Sequence, residues 1–235
     1  MPAISAPMHW RNLTLALLAG ARLALWPVPV LGQEAPFLRV GAEAGLSHNS
    51  VYAITEDAEG FLWIGTVDGL NRYDGYEFRV YRHDPGDTAS LSNNQVNALL
   101  ADSTGDLWVA TADGLNRFEP RLDGFRRYRL GQGSPPGVSN AVLALHRDPD
   151  GALWAGGDTG LYRYDAAADR FDLVSGEVPA NRAETRRVVA IRDGVDGSLW
   201  VLSGATGVWV LRQLRGAAPP HRPSPAGPMA RPELR

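Results

Sequence analysis

The sequence contains no cysteine and no lysine, so all 23 basic residues are arginine. Without cysteine the chain forms no disulfide, holds no thiol nucleophile and offers no cysteine-ligated metal site. Its five histidines stand apart, with no close spacing that is typical of metal ligands. These absences leave the carboxylates as the main candidates for chemistry in a chain of 235 residues, which is long enough for one domain with a sizeable core.

The carboxylates themselves indicate turns and not a reaction centre. Most lie in turn sequences, and no pair stands out for acid–base work. Asp57, Asp102 and Asp148 recur at one repeat position, where we expect their side chains to bond the turn backbone. The stretch 148–151 (DPDG) faintly resembles a calcium loop but lacks the later ligands. We therefore predict no catalytic residue, no metal and no cofactor.

The charge of the chain is unevenly distributed. Residues 34–211 carry 25 acidic residues and 16 arginines, a net charge of −9. Residues 212–235 carry five arginines and one acidic residue, a net charge of +4. An acidic body argues against nucleic-acid binding, which favours a basic face. The basic tail is either a solvated, disordered end or a contact for an anionic surface.

A tryptophan motif recurs along the chain at intervals of 45, 46 and 46 residues. The copies read GFLWIGTVDGLNRYD, GDLWVATADGLNRFE, GALWAGGDTGLYRYD and the weaker GSLWVLSGATGVWVL, around Trp63, Trp108, Trp154 and Trp200. A glycine follows the tryptophan by six positions in the first three copies, at Gly69, Gly114 and Gly160. A fixed period of this length indicates a repeat architecture, in which we expect these residues to form the structural core.

Each copy predicts four short antiparallel strands. In the first, 51–56 alternates as a strand, 61–66 is nearly all apolar, and Asp68-Gly69 is a hairpin signal before strands at 70–74 and 77–81. Four strands in about 45 residues are typical of one β-propeller blade. The predicted blades are 46–83, 91–130, 138–175 and 186–211, within a repeat domain of 37–211.

The segment 37–41 resembles the strands that close each blade, so we predict that it is a displaced outer strand. Pairing of this strand with the fourth repeat would close a four-bladed ring. We favour the other arrangement, an all-β, open array of four four-stranded blades that forms part of a larger propeller. After residue 211 the pattern stops and six prolines follow, so we expect a reading frame that slipped or ended early.

The two ends of the chain differ from the repeats. In residues 1–33, Arg11 precedes the apolar runs 13–21 and 23–31, and small residues near Gln33 offer a cleavage site. This pattern predicts an export signal, with an uncleaved membrane anchor as the alternative. Residues 212–235, rich in proline and arginine, cannot build a core and are predicted to be disordered.

The first two copies resemble the two-component regulator propeller repeat, in the phrases GLSHNSVYAITEDAEGFLWIGTVDGLNRYDGYEF and LSNNQVNALLADSTGDLWVATADGLNRFEP. The resemblance extends over about 37–211 and weakens toward the fourth copy. It implies the periplasmic sensor region of a bacterial hybrid histidine kinase or diguanylate cyclase. Kinase or cyclase activity would reside in further domains, so the resemblance implies no catalysis in this chain.

The loops that enter each first strand are the candidate ligand sites. Asn49, Asn94 and Asn140 occupy equivalent positions there. They either form a ring of amides for a solute such as an oligosaccharide or cap their own turns. We expect a non-catalytic, extracytoplasmic sensor module. The alternative is an exported protein-interaction propeller without a small ligand, for which the exposed strand edge favours a homodimer.

Overall fold

The computed structural model describes residues 38–102, 105–130, 139–174, 187–204 and 207–211. They form a 3-10 turn at Ala42–Ala44 and fifteen strands, which confirms the all-β prediction. Within these ranges no helix has the length and hydropathy needed to cross a bilayer. The predicted export signal at 1–33 and the tail at 212–235 lie outside the described residues, so both stay predictions.

The first three repeats each form a four-stranded antiparallel sheet whose strands neighbour one another in chain order. The first sheet contains β1 (Val51–Glu56), β2 (Leu62–Thr66), β3 (Gly69–Tyr73) and β4 (Phe78–Tyr81). The second contains β5 (Val96–Ala101), β6 (Leu107–Thr111), β7 (Gly114–Glu119) and β8 (Gly124–Tyr128). The third contains β9 (Val142–Arg147), β10 (Leu153–Gly157), β11 (Gly160–Asp165) and β12 (Arg170–Leu173).

The fourth sheet has three strands in the described part of the chain: β13 (Val188–Asp193), β14 (Leu199–Ser203) and β15 (Gly207–Leu211). The predicted displaced strand at 37–41 is wrong over residues 38–41, which lie in no strand. A strand needs a ladder of backbone partners. Instead, the carbonyl of Gly41 accepts hydrogen bonds from the backbone of Ala44 and Leu46, which starts a 3-10 turn.

The hydrophobic core lies between sheets. Three buried clusters each join the tryptophan of one repeat to the first strand of the next, as Trp63 joins Val96. One methyl group of Val96 lies 2.5 Å from the ideal position of a Cβ on Gly65, so the absence of a side chain at Gly65 allows the close approach. Val51 begins β1 at the equivalent position but is 45% exposed, since no repeat precedes it in the described residues. The array is therefore an open, partial propeller.

A polar contact reinforces two of the junctions. Tyr81 donates its hydroxyl hydrogen to Asp123 of the second repeat at 2.8 Å, and Tyr128 donates to Asp169 of the third at 2.8 Å. Both aspartates have positive φ, 47° and 48°, a conformation that Asp tolerates better than most residues. Burial raises the pKa of Asp169, but hydrogen bonds from Tyr164 and Tyr128 and the nearby arginines outweigh it, so this pKa lies below its ordinary value.

Candidate functional site

Asn94, in the loop that enters the second repeat, binds the end of the first. Its Oδ1 accepts a hydrogen bond from the backbone N–H of His83 at 2.7 Å, and its Nδ2 donates to Asp68 at 3.2 Å. Its backbone carbonyl accepts from Gly69 N at 2.8 Å. Asn94, which enters the second blade, therefore holds together two parts of the first blade: the hairpin at Asp68 and Gly69, and the segment at His83 that follows the last strand.

Asn140 makes the same three contacts one repeat later. It accepts from Leu130 N at 3.0 Å, donates to Asp113 at 3.3 Å, and its carbonyl accepts from Gly114 N at 2.9 Å. Asn49 keeps one equivalent contact, with Ala42 N at 2.9 Å. We call these three residues the asparagine clamps. Each amide oxygen accepts from a backbone N–H that lies 7 to 11 residues upstream, at Ala42, His83 and Leu130, and not from the turn next to the asparagine. Ligand contact by these amides stays a prediction.

The hairpin glycines are part of the same contact. Gly69 and Gly114 have φ of 124° and 107°, which L side chains rarely adopt. An added Cβ would lie 2.8 Å from Tyr81 O at Gly69 and 2.9 Å from Tyr128 O at Gly114. Gly160 also has a positive φ, 138°. Glycine is thus required at the clamp both for backbone conformation and for space.

Three of the four repeat tryptophans are buried at the junctions. Trp63 and Trp154 are 1% and 3% exposed, and their indoles donate to the turn aspartates Asp57 and Asp148 at 2.6 and 2.9 Å. Trp200 is 48% exposed, so its prediction as a core residue is wrong. No further blade covers it among the described residues.

Trp108 is 1% exposed, yet its indole N–H has no hydrogen-bond acceptor. The equivalent aspartate, Asp102, forms an ion pair with Arg147 of the third repeat, and its side chain is only 1% exposed. The second repeat carries Ala101 at the position equivalent to Arg147. Arginine at this one position therefore draws Asp102 into an ion pair between repeats, and Trp108 lacks the bond that Trp63 and Trp154 make.

Trp108 is one of the residues that line a cavity of about 360 Å³ between the second and third repeats. Its lining includes Asp106, Trp108, Arg147, Asp150, Arg163 and Tyr164. We call it the junction cavity. Turns between first and second strands and between third and fourth strands contribute to it, so it lies at the end of the sheets opposite the asparagine clamps. Burial and the neighbouring charge of Asp102 raise the pKa of Asp106.

Sequence reasoning did not predict the junction cavity. The available signal was Arg147, where the equivalent residues are Glu56, Ala101 and Asp193. In the described part of the chain, no group of three His, Asp or Glu residues is arranged to hold a metal ion.

The comparisons with known proteins agree with the repeat pattern. A family model described as a two-component regulator propeller matches residues 45–68 and 90–113. A 45-residue stretch is 51% identical to histidine kinase P4 of Formosa agariphila, covering 19% of this chain and 3% of the kinase.

Solved structures share the fold. The extracellular domain assigned to the hybrid two-component system BT3049 of B. thetaiotaomicron is 28% identical with a TM-score of 0.64, over 74% of this chain and 25% of that domain. The WD40 propeller domain of Doa1 is similar in fold alone, at 14% identity and a TM-score of 0.52, over 71% of this chain and 52% of that one. The chain thus spans a small part of the signalling proteins it matches.

Proposed function

Because the chain carries two-component regulator propeller repeats, we propose that it is the extracytoplasmic, non-catalytic sensor portion of a bacterial signal-transduction protein. The observation that carries this proposal is the likeness to the BT3049 extracellular domain, which extends over 74% of this chain. The solute would bind to the propeller, and the response would pass to an output domain. Export by the segment 1–33 belongs to the same proposal.

An oligosaccharide is the solute that we test first. The purified chain is heated with a panel of oligosaccharides, and unfolding is followed by circular dichroism. A ligand present at 100 times its Kd stabilises the folded state by about 2.7 kcal/mol, which for a chain of this size raises Tm by about 5–10 °C.

A saturating rise in Tm distinguishes binding from solvent effects. Sugars that are merely excluded from the protein surface stabilise it without saturation. If a folded sample shows no saturable shift with any oligosaccharide, recognition of this ligand class by the chain is refuted.

The second candidate function is protein interaction, and the face of the fourth sheet favours it. Four apolar side chains there are 40–54% exposed: Trp200, Leu202, Val208 and Val210. A second copy of the chain is the partner we propose for this face, since contiguous exposed apolar side chains mark protein-interaction surfaces. Sedimentation over a concentration series tests it. We expect a dimer that Trp200→Ser weakens; a monomer at every concentration would refute it.

A further inference from the structure

An internal junction of this chain has two different halves. At the third junction, Trp154 of the third sheet is buried in one cluster with Val188 and Ile191, which β13 contributes from the fourth sheet. Val188 and Ile191 are 2% and 0% exposed. The first half of a junction is thus a tryptophan face, and the second half is the apolar side of a first strand.

The first sheet exposes the second half of such a junction. Val51 and Ile54 occupy in β1 the positions that Val188 and Ile191 occupy in β13, with the same register toward the second strand of the sheet. They are nevertheless 45% and 63% exposed. We call Val51, Ile54 and the exposed Glu56, which ends β1, the leading face.

The fourth sheet exposes the first half. Trp200 is equivalent to Trp154, and Val208 follows its hairpin glycine as the buried Leu161 does in the third repeat. Arg192 of β13 lies directly opposite Trp200, so both side chains are on the same face. We call this surface the trailing face; it comprises Arg192 and four exposed apolar residues, Trp200, Leu202, Val208 and Val210.

The charges of the two faces are complementary. At the third junction, His146 of β9 pairs with Asp193 of β13, Nε2 to Oδ1 at 2.8 Å. Arg192 has the repeat position of His146, four residues after the first-strand valine. Glu56 has the position of Asp193, five residues after that valine. Within the described ranges neither Arg192 nor Glu56 forms an ion pair, so a contact built like the third junction would bring two available opposite charges together.

We propose that the leading face of one copy of the chain packs on the trailing face of a second copy, with Glu56 of one copy paired with Arg192 of the other. This inference rests on the proposed self-association and names the surface that the fourth sheet meets. A head-to-tail contact generates either a closed ring or an open filament. Two copies with four sheets each supply eight blades, which lies within the usual range for propellers, so we expect a closed pair.

Leu202 distinguishes this contact from an internal junction. The equivalent residues are smaller: Gly65, Ala110 and Gly156. A Cβ on Gly156 would already lie 2.3 Å from a methyl group of Val188, so a leucine keeps Val51 of the second copy farther away. Leu202→Ala should therefore tighten a head-to-tail contact about tenfold by relieving overpacking. It would weaken a contact between two trailing faces, because it removes apolar area that such a contact buries.

Charge reversal tests the proposal by sedimentation of the whole chain over a concentration series. We expect Glu56→Arg and Arg192→Glu each to weaken the dimer about tenfold, because like charges then meet at the contact. Both residues are exposed, so circular dichroism should show an unchanged fold. The matched control is Glu59→Arg, an exposed acid in the turn after β1, which should leave the dimer unchanged.

A mixture of the two reversed variants sharpens the test. An equimolar mixture of Glu56→Arg and Arg192→Glu places opposite charges at both contacts, and so does the combination of both changes in one chain. We expect either arrangement to restore association. If neither does, the pairing of Glu56 with Arg192 is refuted.

The outcomes separate this contact from other forms of self-association. A dimer that Trp200→Ser and Leu202→Ala weaken, and that Glu56→Arg leaves unchanged, would overturn the head-to-tail arrangement while self-association through the fourth sheet stands. Monomers of both wild type and Leu202→Ala at every concentration would refute both proposals. Species that grow beyond two copies and respond to charge reversal would support the contact and overturn the closed pair.

Discussion

Asn94→Ala tests whether the asparagine clamps hold the propeller together. The substitution removes the acceptor of His83 N and the donor to Asp68, at 2.7 and 3.2 Å. A hydrogen bond contributes about 0.5–1.5 kcal/mol net, and an amide N–H left without a partner costs about 1–3 kcal/mol. Because the Asp68 carboxylate is 45% exposed and can rehydrate, most of the loss comes from His83 N.

We therefore expect Asn94→Ala to lower the free energy of unfolding by about 2 kcal/mol. For a chain of this size, the corresponding fall in Tm is about 4–8 °C. Thermal and urea unfolding, followed by circular dichroism, measure both quantities. Asn49→Ala is the matched control, since it removes a single bond, to Ala42 N. It should cost about half as much.

The opposite pattern would refute this reasoning. If Asn94→Ala leaves Tm unchanged but abolishes stabilisation by an oligosaccharide, the amide is a ligand contact and not a clamp. Asn94→Asp sharpens the distinction, because it keeps an acceptor but places a second carboxylate beside Asp68. We expect it to keep the bond from His83 N and so to be more stable than Asn94→Ala, with the largest difference below about pH 4, where protonation of the carboxyl groups removes the repulsion from Asp68.

Two further predictions concern the other junctions. Gly156→Ala should lower the free energy of unfolding, measured with urea, by about 1–3 kcal/mol, because the new Cβ would lie 2.3 Å from a methyl of Val188. Adding Val188→Ala to the same chain should recover most of this loss. The lowered pKa of Asp169 contributes stability that is present above its unfolded pKa of about 3.9 and lost as pH falls through the folded value. Asn also tolerates the positive φ at this position, so Asp169→Asn should remove the carboxyl group without straining the backbone. We expect the stability of this variant to fall less steeply at acidic pH than that of wild type. An equally steep fall would contradict the contribution of Asp169.

The strands could be predicted from the sequence because their signals are local. The Asp68-Gly69 hairpin and the alternation of 51–56 depend on backbone conformation and burial within one repeat. The β1 strand accordingly spans Val51–Glu56, as predicted. The exposure of Trp200 could not be predicted in this way, since burial of a repeat tryptophan depends on whether another blade covers it.

The partners of the asparagines were missed for a related reason. Equivalent positions before each first strand were evident, but the hydrogen-bond partners lie in the preceding repeat, 11 residues upstream for Asn94 and 10 for Asn140. Repetition indicates that a residue belongs to the blade; it does not indicate which neighbouring element the side chain reaches.

The three junctions differ most at the residue that ends each first strand. At the first junction this residue is Ala101, and the turn aspartate bonds its own tryptophan. At the third it is Asp193, which pairs with His146 at 2.8 Å, and the tryptophan bond is again intact. Only at the second, among the described residues, does a cation from the next repeat capture the turn aspartate. Residues common to every repeat hold the blades together, and Arg147 marks a junction at which one repeat departs from that pattern.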